Sequence, residues 1–223
     1  MKKIALFVAG GSGSRMKTEI PKQFMELKGK PVLMHTFDAF QKYDNTFEFF
    51  LVLPEKQFDH WKKLCEAYHF STEHTLVPGG ETRFHSVKNG LDHLEQEGIV
   101  FIHDGVRPLV SSQTIHHCSQ TALEKGNALP VIPPAESVRE VYDHSNRAVD
   151  RSRFFLVQTP QTFKVSLIKK AYQQPFLPEF TDDASVLESA GGKIHLVEGN
   201  RENIKITFPG DLLVASVLLN KNE

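Results

Sequence analysis

The sequence predicts an α/β three-layer sandwich: a mainly parallel, twisted sheet with helices on both faces, and a β-hairpin arm protruding from it. Three observations carry this prediction. Apolar runs alternate with amphipathic segments as far as residue 134, the rhythm of a doubly wound sheet. The strongest apolar runs are continuous rather than alternating, as befits strands covered on both faces. The rhythm breaks between residues 135 and 163 and then resumes. A chain of 223 residues fits one domain, 1–223, with the arm at about 135–157 inside it.

The elements follow in order. "IALFVA" (4–9) is a buried strand running into a glycine-rich turn. "VLMHTFDAFQKY" (32–43) sets Leu33, Phe37 and Phe40 at helical spacing, and "FEFFLVLP" (47–54) is the second strand, ended by Pro54. "FDHWKKLCEAYHF" (58–70) is a helix with Trp61, Leu64 and Tyr68 inward; "HTLVPGG" (74–80) is a short strand into a glycine turn. "TRFHSVKNGLDHL" (82–94) is a helix with Phe84, Val87, Leu91 and Leu94 on one side. "IVFIHDGVRP" (99–108) is a buried strand with polar residues at its C-terminal end, followed by a helix at 112–126 stopped by Gly126 and a strand at 127–134. Asp143–Asn146 supplies turn chemistry for the arm, whose alternative is an ordinary surface loop. Helices return at 164–174 and 182–192, the second with Thr181 as N-cap. Strands at 193–199 and 203–207 and an amphipathic helix at 208–222 close the chain.

Composition narrows the function. The formal net charge is −1, so general affinity for nucleic acid or an anionic membrane is not expected, and any positive site must be local. Cys65 and Cys118 are the only cysteines and have no metal-binding spacing, which suits a reduced cytoplasmic protein. The run at 4–9 is too short for a signal-peptide core or a membrane span. Eleven histidines are scattered and most are expected at the surface; His116 and His117, being adjacent, cannot share a helix face.

Ligands of such sheets bind beyond the carboxyl ends of the strands. Ala9, Gly10, Gly11, Gly13 and Arg15 fall there after the first strand, and Gly79, Gly80 and Arg83 after the third. Asp104, Arg107 and Pro108 follow the fourth, with Lys205 nearer the C-terminus and Ser137, Arg151 and Thr159 in the arm region. Cations, glycines and one carboxylate in a neutral protein suit a polyphosphate with a divalent metal. The first loop is no Walker loop, and Met16 stands where a dinucleotide fingerprint would place its third glycine. What remains is a glycine turn offering backbone N–H groups, then Arg15 and Lys22, an arrangement an ordinary tight turn could also explain.

"AGGSGSRM…PKQ" (9–23) resembles the N-terminal signature of the nucleotidyltransferases with a Rossmann-like fold, and most nearly the 2-C-methyl-D-erythritol 4-phosphate cytidylyltransferase family. "GGETRFHSVKNGL" (79–91) and "HDGVRP" (103–108) resemble that family's G-G-x-x-R-x-x-S-V-x-x-G-L and H-D-x-x-R-P. "VDR" (149–151), "QTPQTF" (158–163), "TDDASVLE" (181–188), "VEGNRENIKIT" (197–207) and "PGDL" (209–212) continue in family order along nearly the whole chain.

The resemblance implies transfer of a cytidylyl group from CTP to 2-C-methyl-D-erythritol 4-phosphate with release of pyrophosphate, a Mg²⁺-dependent step in isoprenoid precursor synthesis. It assigns Arg15 and Lys22 to the reacting triphosphate, and Gly80, Arg83 and Ser86 to the cytosine; for Arg83 a structural ion pair is the alternative. It assigns Asp104 to the metal-bound nucleotide or the sugar phosphate. Arg151 and Lys205 would hold the acceptor phosphate, with Arg107, Ser137, Thr159 and Thr181 as supporting polar contacts. It implies a homodimer in which the arm carries Ser137 and Arg151 to the neighbour's site. The nucleophile is a phosphate monoester oxygen, whose second pKa of about 6 leaves it mostly dianionic near neutrality, so no general base is needed. Help must come from positioning and charge stabilisation. Three departures stand out: Ser137 where the family often has Thr, Glu81 for a common Asp, and "HDGV" for "HDAA", expected to loosen the turn after Asp104. The nearest rival is a ribitol-5-phosphate cytidylyltransferase, and a more distant one a nucleotide-binding module without turnover.

Overall fold

In the computed structural model, which describes residues 1–10, 20–95 and 97–220, the first apolar run forms strand β1 (Lys2–Val8) inside an eight-stranded sheet. Its two faces are covered as the unbroken apolar run requires. Ala5 and Phe7 point into one core layer and Ile4 and Leu6 into the other, following the two-residue pleat. A small ribbon, β2 (Glu26–Leu27) and β3 (Lys30–Pro31), leads into α1 (Val32–Tyr43), whose bounds are those of the predicted helix. Then come β4 (Glu48–Leu53), α2 (Phe58–Ala67), β5 (Thr75–Pro78), α3 (Arg83–Asp92) and β6 (Gly98–Asp104). β4 and β6 pair with β1 in parallel, and β5 pairs with β4 in parallel.

The second half is mixed. After α4 (Ser112–Lys125) and β7 (Asn127–Ile132) the chain leaves the body as a two-stranded arm, β8 (Arg139–Tyr142) and β9 (Ser145–Ala148). It returns through β10 (Leu156–Val157), antiparallel to the edge of β7, and β11 (Gln161–Lys164). β11 lies between β6 and β7 and runs antiparallel to both. Then come α5 (Val165–Ala171), α6 (Asp183–Ser189), β12 (Leu196–Glu198), parallel to β7, and α7 (Pro209–Leu219). The sheet order is β10-β7-β11-β6-β1-β4-β5, with β12 also on β7. This is the predicted mainly parallel sandwich with a hairpin arm.

One core layer is aromatic: Phe7 meets Phe37 and Phe40 edge-on at 4.8 and 5.0 Å, and Trp61 stacks on Phe37. The opposite layer joins Leu6, Val87, Leu91, Phe163, Ile168 and Tyr172 beneath α3 and α5. Four expectations change. The stretch 203–207 forms no strand; it is extended, and Ile206 N–H donates to the Val106 carbonyl in place of a ladder. The N-cap of α6 is Asp182, not Thr181: its carboxylate accepts from Ser185 N–H at 2.8 Å. Tyr68 lies past the end of α2 and is exposed rather than inward. α7 is not amphipathic, because apolar residues run round it: Ala215 is buried while Leu213, Val214 and Val217 face out. No described helix is long and apolar enough to cross a membrane.

Candidate active site

The carboxyl ends of β1, β5 and β6 open onto one cleft of about 410 Å³. β1 brings Ala9 and Gly10 to its floor. Lys22 and Gln23 arrive on a single 3-10 turn, Lys22–Phe24, set off by Pro21. The buried Gln23 amide anchors that turn, donating to the Ala9 carbonyl and to Gln57 Oε1, each at 2.9 Å. Lys22 is thereby fixed at the wall of the cleft by its neighbour in sequence.

After β5 the turn at Gly80 is tied to α3. Gly80 N–H donates to Ser86 Oγ at 3.0 Å, and Thr82 caps the helix by accepting from His85 N–H. A Cβ at Gly80 would stand 2.4 Å from His85 Cβ and 2.9 Å from the His85 carbonyl carbon, so only glycine allows this approach. Arg83 opens α3 with its guanidinium in the cleft wall, donating from Nη1 and Nη2 to the two carboxylate oxygens of Asp183 at 2.8 and 2.6 Å. Tyr172 Oη donates to Asp183 Oδ1 at 2.6 Å.

Asp104 ends β6 and is the cleft's central charge. Its Oδ2 accepts from Lys205 Nζ at 3.0 Å and Arg107 Nε at 3.2 Å. Burial would raise the Asp104 carboxyl, but the charges of Lys205, Arg83 and Arg107 outweigh it and hold the group well below the usual carboxylate range. Behind it, Asp104 N–H donates to Thr159 Oγ1, which faces His103 Nδ1 at 2.9 Å. His103 Nε2 lies 3.1 Å from the Arg107 carbonyl, which can only accept, so the proton sits on Nε2 and Nδ1 takes the Thr159 hydroxyl hydrogen. Burial lowers the His103 imidazole to about 4, which keeps it neutral.

The predicted residues therefore divide. Ala9, Gly10, Lys22, Gly80, Arg83, Ser86, Asp104 and Lys205 line one cleft. Arg107 and Thr159 support it from behind through Asp104. Thr181 is exposed beside the start of α6 and lines no part of the cleft. Ser137 and Arg151 are exposed on the arm, outside the cleft; Arg151 donates to the Ala135 carbonyl. Gly11, Gly13 and Arg15 lie outside the described residues. A larger groove of about 520 Å³, between α1 and the start of α4, gathers only Pro108 of the residues expected at the strand ends.

Comparison with known proteins gives the family. The family model of 2-C-methyl-D-erythritol 4-phosphate cytidylyltransferase matches residues 3–221. A relative of that name from Bacteroides thetaiotaomicron is 53% identical over 98% of this chain and 100% of its own length. Another, from Porphyromonas gingivalis, is 48% identical over 98% of each chain. The chain belongs to the 2-C-methyl-D-erythritol 4-phosphate cytidylyltransferase family. Among solved structures, the 4-diphosphocytidyl-2C-methyl-D-erythritol synthase of Anaerococcus prevotii superposes with a TM-score of 0.82 at 28% identity, covering 98% of both chains. The family's enzyme from Thermus thermophilus gives 0.79 at 28% identity, covering 99% of this chain and 100% of that one.

In this cytidylyltransferase chain the "HDGV" turn is not loosened. Gly105 N–H donates to the Val8 carbonyl and Arg107 N–H to the Asp104 carbonyl, each at 3.1 Å. A Cβ at Gly105 would come within 2.9 Å of Ala9 Cβ, so glycine draws the turn in against β1. Burial pushes the Cys65 and Cys118 thiols up to about 11 and about 12, and neither lines the cleft. Motif reading gave no role to Gln23, His103, Tyr172 or Asp183. Asp183 had a weak signal, as the second acid of "TDD", but an acid in a first helical turn reads equally as helix-start chemistry.

Proposed function

We propose that this cleft is where the chain transfers a cytidylyl group from CTP to 2-C-methyl-D-erythritol 4-phosphate, releasing pyrophosphate. The observation that carries the reading is the convergence of Lys22, Arg83 and Lys205 around Asp104, beside the glycine turn at Gly80 that lines the same cleft. Gly80 and Ser86 border the cytosine, and Arg83 supplies a fixed cation on the nucleotide side. Lys22, with Arg15 from the N-terminal loop, neutralises charge building on the α-phosphate and the leaving group. Lys205 receives the acceptor phosphate, whose oxygen attacks as a dianion without a base.

Asp104 fits Mg²⁺ in donor chemistry, being a carboxylate in the cleft. No group of three or more metal-ligating side chains exists among the described residues, so the ion would rest on Asp104 and phosphate oxygens. When bound it supplies charge neutralisation on the phosphates.

The arm supports a homodimer. Val141, Tyr142 and Phe154–Val157 expose apolar surface that one copy alone leaves in water. The partner subunit's Arg151 and the partner's Ser137 then complete the acceptor side of the site. Two free cysteines and near-zero net charge suit the cytoplasm.

The deciding experiment measures Mg²⁺-dependent pyrophosphate release from CTP with 2-C-methyl-D-erythritol 4-phosphate and with ribitol 5-phosphate at matched concentrations. Faster turnover with the methylerythritol acceptor is expected. Preference for ribitol phosphate would sink the reading, and CTP binding without pyrophosphate release would return the non-catalytic module. In Lys22→Ala, kcat should fall by about 100-fold or more while CTP KM changes little, as for a group acting mainly in the transition state. Unchanged kcat removes Lys22 from the chemistry.

A further inference from the structure

Arg83 enters the nucleotide cleft already engaged. Asp183, on which two of its five N–H donors converge, has 0% of its side chain exposed, whereas the Arg83 side chain retains 30%. Three separate elements meet at that carboxylate: Arg83 from the start of α3, Tyr172 from the end of α5 and Asp183 from the start of α6. Tyr172 is itself held, with its ring stacked on Phe84 at 4.7 Å. The first turn of α6 is pinned in turn to β11, where Gln161 donates to Asp182 Oδ2 and accepts from Ala184 N–H. Every oxygen of the buried carboxylate is thus matched, and the geometry leaves the guanidinium little freedom.

Stability alone is a poor reason for this arrangement. Buried ion pairs are commonly no more stabilising than well-packed apolar side chains of the same volume. The pair does have a consequence for the cleft. Asp104 attracts Arg83 across it, and Asp104 already binds Arg107 and Lys205. Without a competing carboxylate behind it, Arg83 would be drawn toward Asp104 and crowd the place assigned to the phosphates. With Asp183 in place the guanidinium is held back in the wall, its rotamers fixed before the ligand arrives.

We propose that Asp183 is a positioning residue for nucleotide binding, holding Arg83 away from Asp104 through a two-pronged bond that Tyr172 completes. This rests on the reading of Arg83 as a nucleotide-side cation, and the experiment separates the two. CTP affinity is measured by calorimetry, and steady-state KM for both substrates is determined, for Arg83→Lys, Asp183→Asn, Tyr172→Phe and the double variant Arg83→Lys/Asp183→Asn, each with its thermal midpoint.

Asp183→Asn should weaken CTP binding by about 10-fold, through loss of the ion pair, and Tyr172→Phe by about 3-fold, through loss of one of the three hydrogen bonds to the carboxylate. The acceptor KM should move less than about 2-fold, because Lys205 and Asp104 keep their own bonds. The double variant should bind CTP no worse than Arg83→Lys alone. Additive losses, or a lower thermal midpoint with unchanged CTP affinity in both Asp183→Asn and Tyr172→Phe, would overturn the proposal. If Arg83→Lys binds CTP as the unaltered chain does, the reading of Arg83 fails first and the proposal with it. Tyr172→Phe removes one oxygen and no volume from the core, so it decides the matter even where the Asp183 variant does not fold.

Discussion

His103 shows how a residue with no chemical role can set the conditions under which the site exists. It is wholly buried between the Thr159 hydroxyl and the Arg107 carbonyl, and burial depresses its imidazole from 6.5 to about 4. Below pH 6.5 the unfolded chain takes up a proton there while the native chain does not, so stability present above that pH is lost as it falls toward 4. The contribution is on the order of 3 kcal/mol. The thermal midpoint should drop over this window, and in His103→Gln the drop should be shallower; equal slopes would deny His103 the effect. Gly80→Ala makes a second test at this scale. Its new Cβ would collide with His85 Cβ and the His85 carbonyl carbon, the second being main chain that cannot swing aside. The turn must move, at a cost of about 1–3 kcal/mol, and CTP KM should rise; an unchanged KM would mean that the turn does not border the base. Lys22, Gly80, Arg83, Ser86, Asp104 and Lys205 were legible because each sits in a short local sequence motif. His103 and Asp183 were not, because what defines them is a distant partner: Arg83 and Asp183 are 100 positions apart.

At the scale of elements, the arm and β11 teach different things. α1 could be bounded from the sequence because twelve residues carry the helical period through three turns. β11 has four residues and lies where the sequence showed only a broken rhythm before a helix at 164; it enters the sheet backwards between β6 and β7. That reversal brings Thr159 to Asp104 N–H, since the beginning of an antiparallel strand lies where its parallel neighbours end. The apparent amphipathicity of α7 also misled, because leucines and valines occur all round that helix. The arm yields a prediction. Val141 is 75% exposed and holds up nothing else in its own chain. Val141→Asp should give a folded monomer by sedimentation with its thermal midpoint within a few degrees of the parent's monomeric body. A variant that remains dimeric would move the contact off the arm.

For the molecule as a whole, the placement of the cations proposed as catalytic makes a strong test of assembly. Lys22 belongs to the cleft of its own chain, whereas Arg151 stands on the exposed arm. If the arm serves the partner, Lys22→Ala and Arg151→Ala homodimers are each nearly inactive, yet a mixture allowed to exchange subunits regains one intact site per heterodimer. Activity should rise to about a quarter of the unaltered level in an equal mixture; no recovery would place Arg151 in service of its own chain or of none. The β11 reversal has a last consequence. The arm departs after β7 and comes home at the start of β11, and both points lie on the rim that bears the cleft. Whatever length of hairpin is strung between β7 and β10, no strand register in the sheet has to slip. The sheet is a socket and the arm tip an interchangeable fitting: a β8–β9 hairpin transplanted from a relative at residues 139–148 could redirect which partner is gripped while Ser137, Arg151 and the cleft beneath stay as they are.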